Sequence, residues 1–305
     1  MNKKSLSRTS IITPLFCALA VAALADDFPR ISATATPSAI VLRWPSTATN
    51  FILETAAPLD AGTWSIVPYP VGIRDGQKSV RLPASEQQRF FRLRQTAPHT
   101  NCFECTQVIG YSQVGAQSGW YVTDGVFESV VPDAKWQLLW NSGAGVDRWQ
   151  DPNYSGWTNK FVSPCPVISN APTRVVLSIS GPYGSNEAAW ADAIDATIKT
   201  IRQKLPTARR IILQPVVGGP AHASCSSGDQ LVRASWQHKH IDNAIADVVT
   251  RRAGGDIEVH PGFSPEVRTC SDYADSLGHL TRSAGAAAGR AVAEYFLQLD
   301  YPCEN

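Results

Sequence analysis

The sequence predicts an α/β protein built on a parallel sheet, preceded by a small all-β unit. Two observations carry this. After Cys102, apolar runs of strand length rich in β-branched residues alternate with longer stretches of helical period, as in parallel strands buried on both faces. From Phe28 to Gln95 there are only short alternating runs cut by turn residues, with no helical period. The 305 residues, 44% of them hydrophobic, suffice for a sizeable core.

Taken in order, residues 1–25 come first: Lys3, Lys4 and Arg8 precede the apolar run from Ile11, and Ala23-Leu24-Ala25 forms a small-x-small site before Asp26. This reads as a removed secretory signal peptide rather than a transmembrane anchor, because the run is short and has no basic flank after it. A secreted or periplasmic chain is expected. Residues 26–95 follow, with strands at "AIVLRW", "NFILETA", "TWSIVPY", "KSVRLP" and "QRFFRLRQ", separated by Pro45, Pro58, Gly62, Gly72, Asp75-Gly76 and Pro83. Trp44 and Trp64 are expected in the core of this β-sandwich. The pattern resembles fibronectin type III-like accessory modules of secreted bacterial enzymes. "TAPHTN", residues 96–101, reads as a linker, and residues 102–305 form the α/β domain.

In that domain the strands are "QVIGY", "WQLLW", "RVVLSI", "RIILQPVV" and "DIEVH". Helical patterns run over 186–204, 233–252 and 283–299, and helices are expected on both faces of the sheet, with ligands at the carboxyl ends of the strands. Without the signal peptide, Cys102, Cys105, Cys165, Cys225, Cys270 and Cys303 remain, which implies three disulfides with the pairing open.

Charge excludes some partners. The whole chain carries +1, and without residues 1–25 the balance is slightly acidic, so bulk charge attracts neither nucleic acid nor an anionic membrane. No cofactor and no metal site are expected: Cys102 and Cys105 lack partners to complete four ligands, and the "HKH" at 238–240 puts its two histidines on opposite helix faces. Oligomeric state is not legible.

Chemistry is sought at strand exits. Ser112 follows the first parallel strand, and a serine hydroxyl needs a base, an acid to orient that base and donors for an oxyanion. His279, in "DYADSLGHLT", is the candidate base, with Asp275 and Asp272 before it. The second strand exits into Asn141-Ser142-Gly143-Ala144-Gly145, whose glycines allow a close backbone N–H. The third exits towards Asn186, an oxyanion donor or a helix cap.

Ser112, Gly145 or Gly143, Asn186 and His279, in this order over the strand exits, resemble the SGNH, or GDSL-like, hydrolases. "GSNE", residues 184–187, and "GHLT", residues 278–281, look like two of that family's blocks. The resemblance implies a three-layer flavodoxin-like sheet and a carboxylic ester hydrolase with Ser112 as nucleophile, His279 as base and Asp275 as orienter. The oxyanion hole would comprise Ser112, Gly145 and Asn186. Two positions depart from the family pattern. Tyr111 stands in place of an Asp before Ser112, and Ser276 stands three residues before His279, where the family has its Asp. Asp275 would need a bulged loop, and Asp272 is the fallback.

Tyr111 and Trp149 are expected to touch substrate, and Trp120, Trp149, Trp157 and Trp190 to ring the site. Secretion, an accessory module and loop aromatics together point to a small-molecule or glycan ester, with deacetylation of a carbohydrate as the expected reaction. The alternative is an SGNH-like domain that binds glycans without turnover.

Overall fold

The computed structural model describes residues 28–48, 51–56, 64–84, 89–95, 105–131, 136–161 and 172–298. Residues 1–25 and 96–101, expected to be a signal peptide and a linker, and Cys102, Cys165 and Cys303 lie outside the described residues.

The N-terminal strands are β1 (Ser32–Thr36), β2 (Ala39–Pro45), β3 (Phe51–Ala56), β4 (Ser65–Ile66), β5 (Gly72–Arg74), β6 (Gln77–Pro83) and β7 (Phe90–Gln95). They pair antiparallel in two sheets, β1-β2-β6-β5 and β4-β3-β7. Alternation sets the buried faces: Leu42 and Trp44 of β2 and Val80 and Leu82 of β6 join Leu53 of β3 and Val67 in one apolar cluster. Trp64 is not in that core. Its ring is half-buried beneath the Arg92 guanidinium, 4.2 Å from its centroid.

The second part is α/β. Strands β8 (Thr106–Gly110), β9 (Trp136–Trp140), β10 (Arg174–Ser178), β11 (Arg210–Gln214) and β14 (Glu258–Pro261) form a five-stranded sheet, all parallel. A small hairpin of β12 (Ser226–Ser227) and β13 (Gln230–Leu231) stands apart. Across the sheet the order is β14-β11-β10-β8-β9. Counted along the chain, the first and third parallel strands, β8 and β10, are neighbours and the order reverses between them, which is compatible with a flavodoxin-like fold and its switch point there. Every residue of β8, β10 and β11 is buried, which explains their unbroken apolar runs.

The long helices are α3 (Glu187–Lys204), α4 (Arg233–Arg251) and α5 (Arg282–Gln298), with single turns α1 (Ser112–Gly115) and α2 (Val146–Trp149) at strand exits. α3 packs on α4 and α2, and its Ile194, Ile198 and Ile201 are fully buried. Among the described residues, no helix is long and apolar enough to cross a membrane. A disulfide joins Cys225 to Cys270. The two parts meet where Val71 bridges Phe263: the Val71 N–H donates to Gly262 O (3.0 Å) and the Ser264 N–H to Val71 O (2.8 Å).

Candidate active site

β8 ends at Gly110, where a side chain would strike Val114, and Tyr111 continues extended before the chain turns into α1. That abrupt turn lifts Ser112 off the end of the strand beside the switch point. Its Oγ lies 2.8 Å from His279 Nε2, and His279 Nδ1 lies 2.6 Å from Asp275 Oδ2. The three side chains form one hydrogen-bonded line.

The bulge that Asp275 needs is present. Its Oδ1 accepts the backbone N–H groups of Leu277, Gly278 and His279 (2.9, 3.0 and 3.1 Å), which folds the segment into a tight nest around the carboxylate. Gly278 makes this possible with φ of +101°, and a Cβ there would also meet Ala234 Cβ at 2.3 Å. Burial disfavours charge on Asp275, but bonds from the His279 ring and from the His279 and Gly278 amides outweigh it and hold the carboxyl below its ordinary range. Asp272 is not the orienter. Its Oδ2 accepts from the Arg268 and Thr269 N–H groups at 3.0 Å, as the acid of a capping box.

The N–H groups of Ser112 and Gly145 have no hydrogen-bond acceptor among the described residues, so both are available as donors. Gly145 is irreplaceable for steric reasons: a Cβ would lie 2.2 Å from Ser180 O. Gly143, the other loop glycine, takes the left-handed φ of +69° and meets nothing. Asn186 caps α3, its Oδ1 accepting from the Ala189 N–H at 3.0 Å. Its amide NH₂ is left without a partner among the described residues.

Two expected substrate contacts are corrected. Trp149 is fully buried, and its Nε1–H donates to Ala144 O (2.9 Å) and Gly110 O (3.2 Å), so it ties the second loop to β8. Tyr111 is 7% exposed and its hydroxyl donates to Gln113, so neither ring presents a face to a ligand. Trp120 and Trp190 are likewise fully buried, while Trp157 is half-exposed. A loop rich in glycine and polar residues can still fold its aromatics inward, and sequence polarity did not reveal this.

Gln113 was missed. Its side chain donates to Gly278 O (2.6 Å) and accepts the Val217 N–H (3.0 Å), joining the exits of β8 and β11 to the His279 loop. Arg233 performs a similar bridge between Gly181 O and, by its N–H, Ser276 O. No sequence signal marks either residue, since both act through backbone groups distant in the chain.

No protein-family model matches this chain, and no curated protein matches it. Among solved structures it is similar to protein YxiM from Bacillus subtilis, with 13% identity over 88% of each chain and a TM-score of 0.41. It is similar also to the salicylyl-acyltransferase SsfX3 from a tetracycline biosynthetic pathway, with 12% identity over 89% of this chain and 97% of that one and a TM-score of 0.40. A DUF4886 family protein from Bacteroides uniformis gives 10% identity over 66% of this chain and 86% of that one, with a TM-score of 0.38. The functional reading rests on the geometry of the site itself.

Proposed function

We propose that the chain is a serine ester hydrolase of the SGNH type, with a flavodoxin-like catalytic domain and an N-terminal fibronectin type III-like sandwich as accessory domain. The observation that carries this reading is the unbroken line Ser112 Oγ, His279 Nε2, His279 Nδ1, Asp275 Oδ2 at the exit of β8. His279 Nε2 takes the Ser112 proton as Oγ attacks the ester carbonyl, while Asp275 holds Nδ1–H. The tetrahedral oxygen is received by the N–H groups of Ser112 and Gly145 and by the Asn186 amide. His279 then returns the proton to the leaving alcohol, and water attacking the acyl-Ser112 ester repeats the cycle. The Ser276 departure does not break the line, because the nest supplies the acid from Asp275.

An oxidised, secreted enzyme fits the Cys225–Cys270 disulfide. Carbohydrate deacetylation is the preferred substrate class on the strength of secretion and the accessory domain; among the tryptophans expected to ring the site only Trp157 keeps exposed surface to support it.

The test is p-nitrophenyl acetate hydrolysis by the oxidised protein beside Ser112→Ala and His279→Ala. Each substitution is expected to lower kcat by about a thousandfold or more. Wild-type turnover no faster than either variant, on this ester and on acetylated xylan, overturns the hydrolase reading in favour of a glycan-binding domain.

A further inference from the structure

Away from Ser112, the seam between the two parts holds a second cluster of titratable side chains. His238 and Asp242 lie one turn apart on α4, and His222 faces them from the turn after β11. Asp242 Oδ2 is 3.9 Å from His222 Nδ1 and 4.0 Å from His238 Nε2, and the three donor atoms lie within 4.8 Å of one another. His238 is wholly buried and Asp242 8% exposed. His222 Nδ1 and Asp242 Oδ1 are buried with no hydrogen-bond partner, an arrangement that is costly unless something else satisfies them.

We propose that His222, His238 and Asp242 form a binding site for a divalent transition-metal ion of the zinc class. Donor separations of 3.9 and 4.0 Å from Asp242, and within 4.8 Å for the set, are wider than the roughly 3.3–3.5 Å edge of a tetrahedral shell with bonds of about 2.0–2.2 Å, so the side chains shift inward to close the site. Ser264 Oγ, 2.8 Å from His238 Nε2 and 3.4 Å from Asp242 Oδ2, is the nearest fourth donor.

The outer shell fits the same reading. Glu266 faces His222 Nε2 at 3.3 Å and is itself fixed by the Ala221 and His222 N–H groups. A proton on Nε2 then leaves the Nδ1 lone pair directed at Asp242, the carboxylate–histidine pairing that orients metal ligands. Ala221 and His222 both adopt left-handed backbone (φ of 51° and 62°) to present the ring so. Opposite His238, Gly218 leaves no room for any side chain: a Cβ would lie 2.2 Å from Nδ1.

Access exists from the seam. A cavity of about 340 Å³ is lined by His222, Asp242, Ser264 and Glu266 on one side and by Arg74 and Arg81 of the N-terminal sheets on the other. An ion here would sit between the two parts of the chain and favour their docking.

The test uses the full chain, stripped with a chelator and titrated with Co²⁺ and then Zn²⁺. One Co²⁺ per chain, with the visible absorption of a tetrahedral nitrogen–oxygen site that Zn²⁺ bleaches, is the expected result. His222→Gln, at the least buried of the three ligands, and Asp242→Asn should each weaken Zn²⁺ affinity at least about a hundredfold, and Glu266→Gln about tenfold as an outer-shell change. Near-ultraviolet circular dichroism checks that each variant is folded. The proposal is overturned by a wild type that binds no stoichiometric metal, or by a folded His222→Gln variant that binds it unchanged.

Discussion

Asp275 lies four residues before His279, and an extended loop would carry its carboxylate past the imidazole. Three backbone N–H groups gathered on Oδ1 turn it back, so Oδ2 meets Nδ1. Replacing Asp275 with Asn keeps some of the nest but favours the wrong tautomer, and kcat should fall by about 10⁴. Asp272→Asn should leave kcat within about twofold, its carboxylate being spent on the Arg268 and Thr269 amides. Steady-state kinetics on one ester separates the two acids, and equal losses would refute the assignment. The meeting of Ser112 and His279 was legible in the sequence because Ser112 follows a strand end, where a parallel sheet gathers its loops. Tyr111 and Trp149 were misread because ring orientation depends on packing against β8 and β9, which no local pattern encodes. That Asp275 and not Asp272 meets His279 depends on the turn at Gly278, with its φ of +101°, which no local pattern signals.

At the level of elements, one side chain serves a helix and the candidate oxyanion hole together. Asn186 caps α3 with its oxygen and leaves its amide without a partner among the described residues, and on the proposed reading that amide donates to the reacting oxygen. Asp is an equally good cap but has no amide donor. Asn186→Asp should therefore leave the thermal midpoint within about 2 °C while lowering kcat by about 10²–10³. Asn186→Ala should lose both activity and about 1 kcal/mol of stability; if Asn186→Asp keeps full kcat, the amide has no part in catalysis.

The sheet edge carries a second test. Glu258 on β14 faces Arg210 on β11 and His260, and bonding to His260 with the charge of Arg210 lowers its pKa to about 2. A carboxyl depressed on folding stabilises the native state above its unfolded pKa, near 4.5, and that stability is lost as pH falls towards 2. Allowing for solvent screening of a half-exposed group, the term is about 1 kcal/mol. Glu258→Gln should lose it at pH 7 and show a flatter stability profile between pH 4.5 and 2 in urea titrations. The five parallel strands behind these tests were read from their apolar runs. β1 and β5 were passed over, being exposed or only partly buried and lacking an apolar run.

For the whole molecule, the Cys225–Cys270 disulfide closes a span of 45 residues and fastens the turn after β11 to the foot of the His279 loop. On the loop-entropy model such a link is worth about 4 kcal/mol. Cys225→Ser with Cys270→Ser should lower stability by about 2–4 kcal/mol in denaturant titrations, and an unchanged midpoint would count against the link. The contact between Val71 and the Gly262–Ser264 segment joins the two parts of the chain by backbone hydrogen bonds across a long sequence separation. During synthesis from the N terminus, the antiparallel strands through Gln95 are complete long before Phe263 leaves the ribosome. Val71 therefore waits with its hydrogen-bonding groups open to water through most of translation, and the join between the two halves is among the last parts of the protein to form.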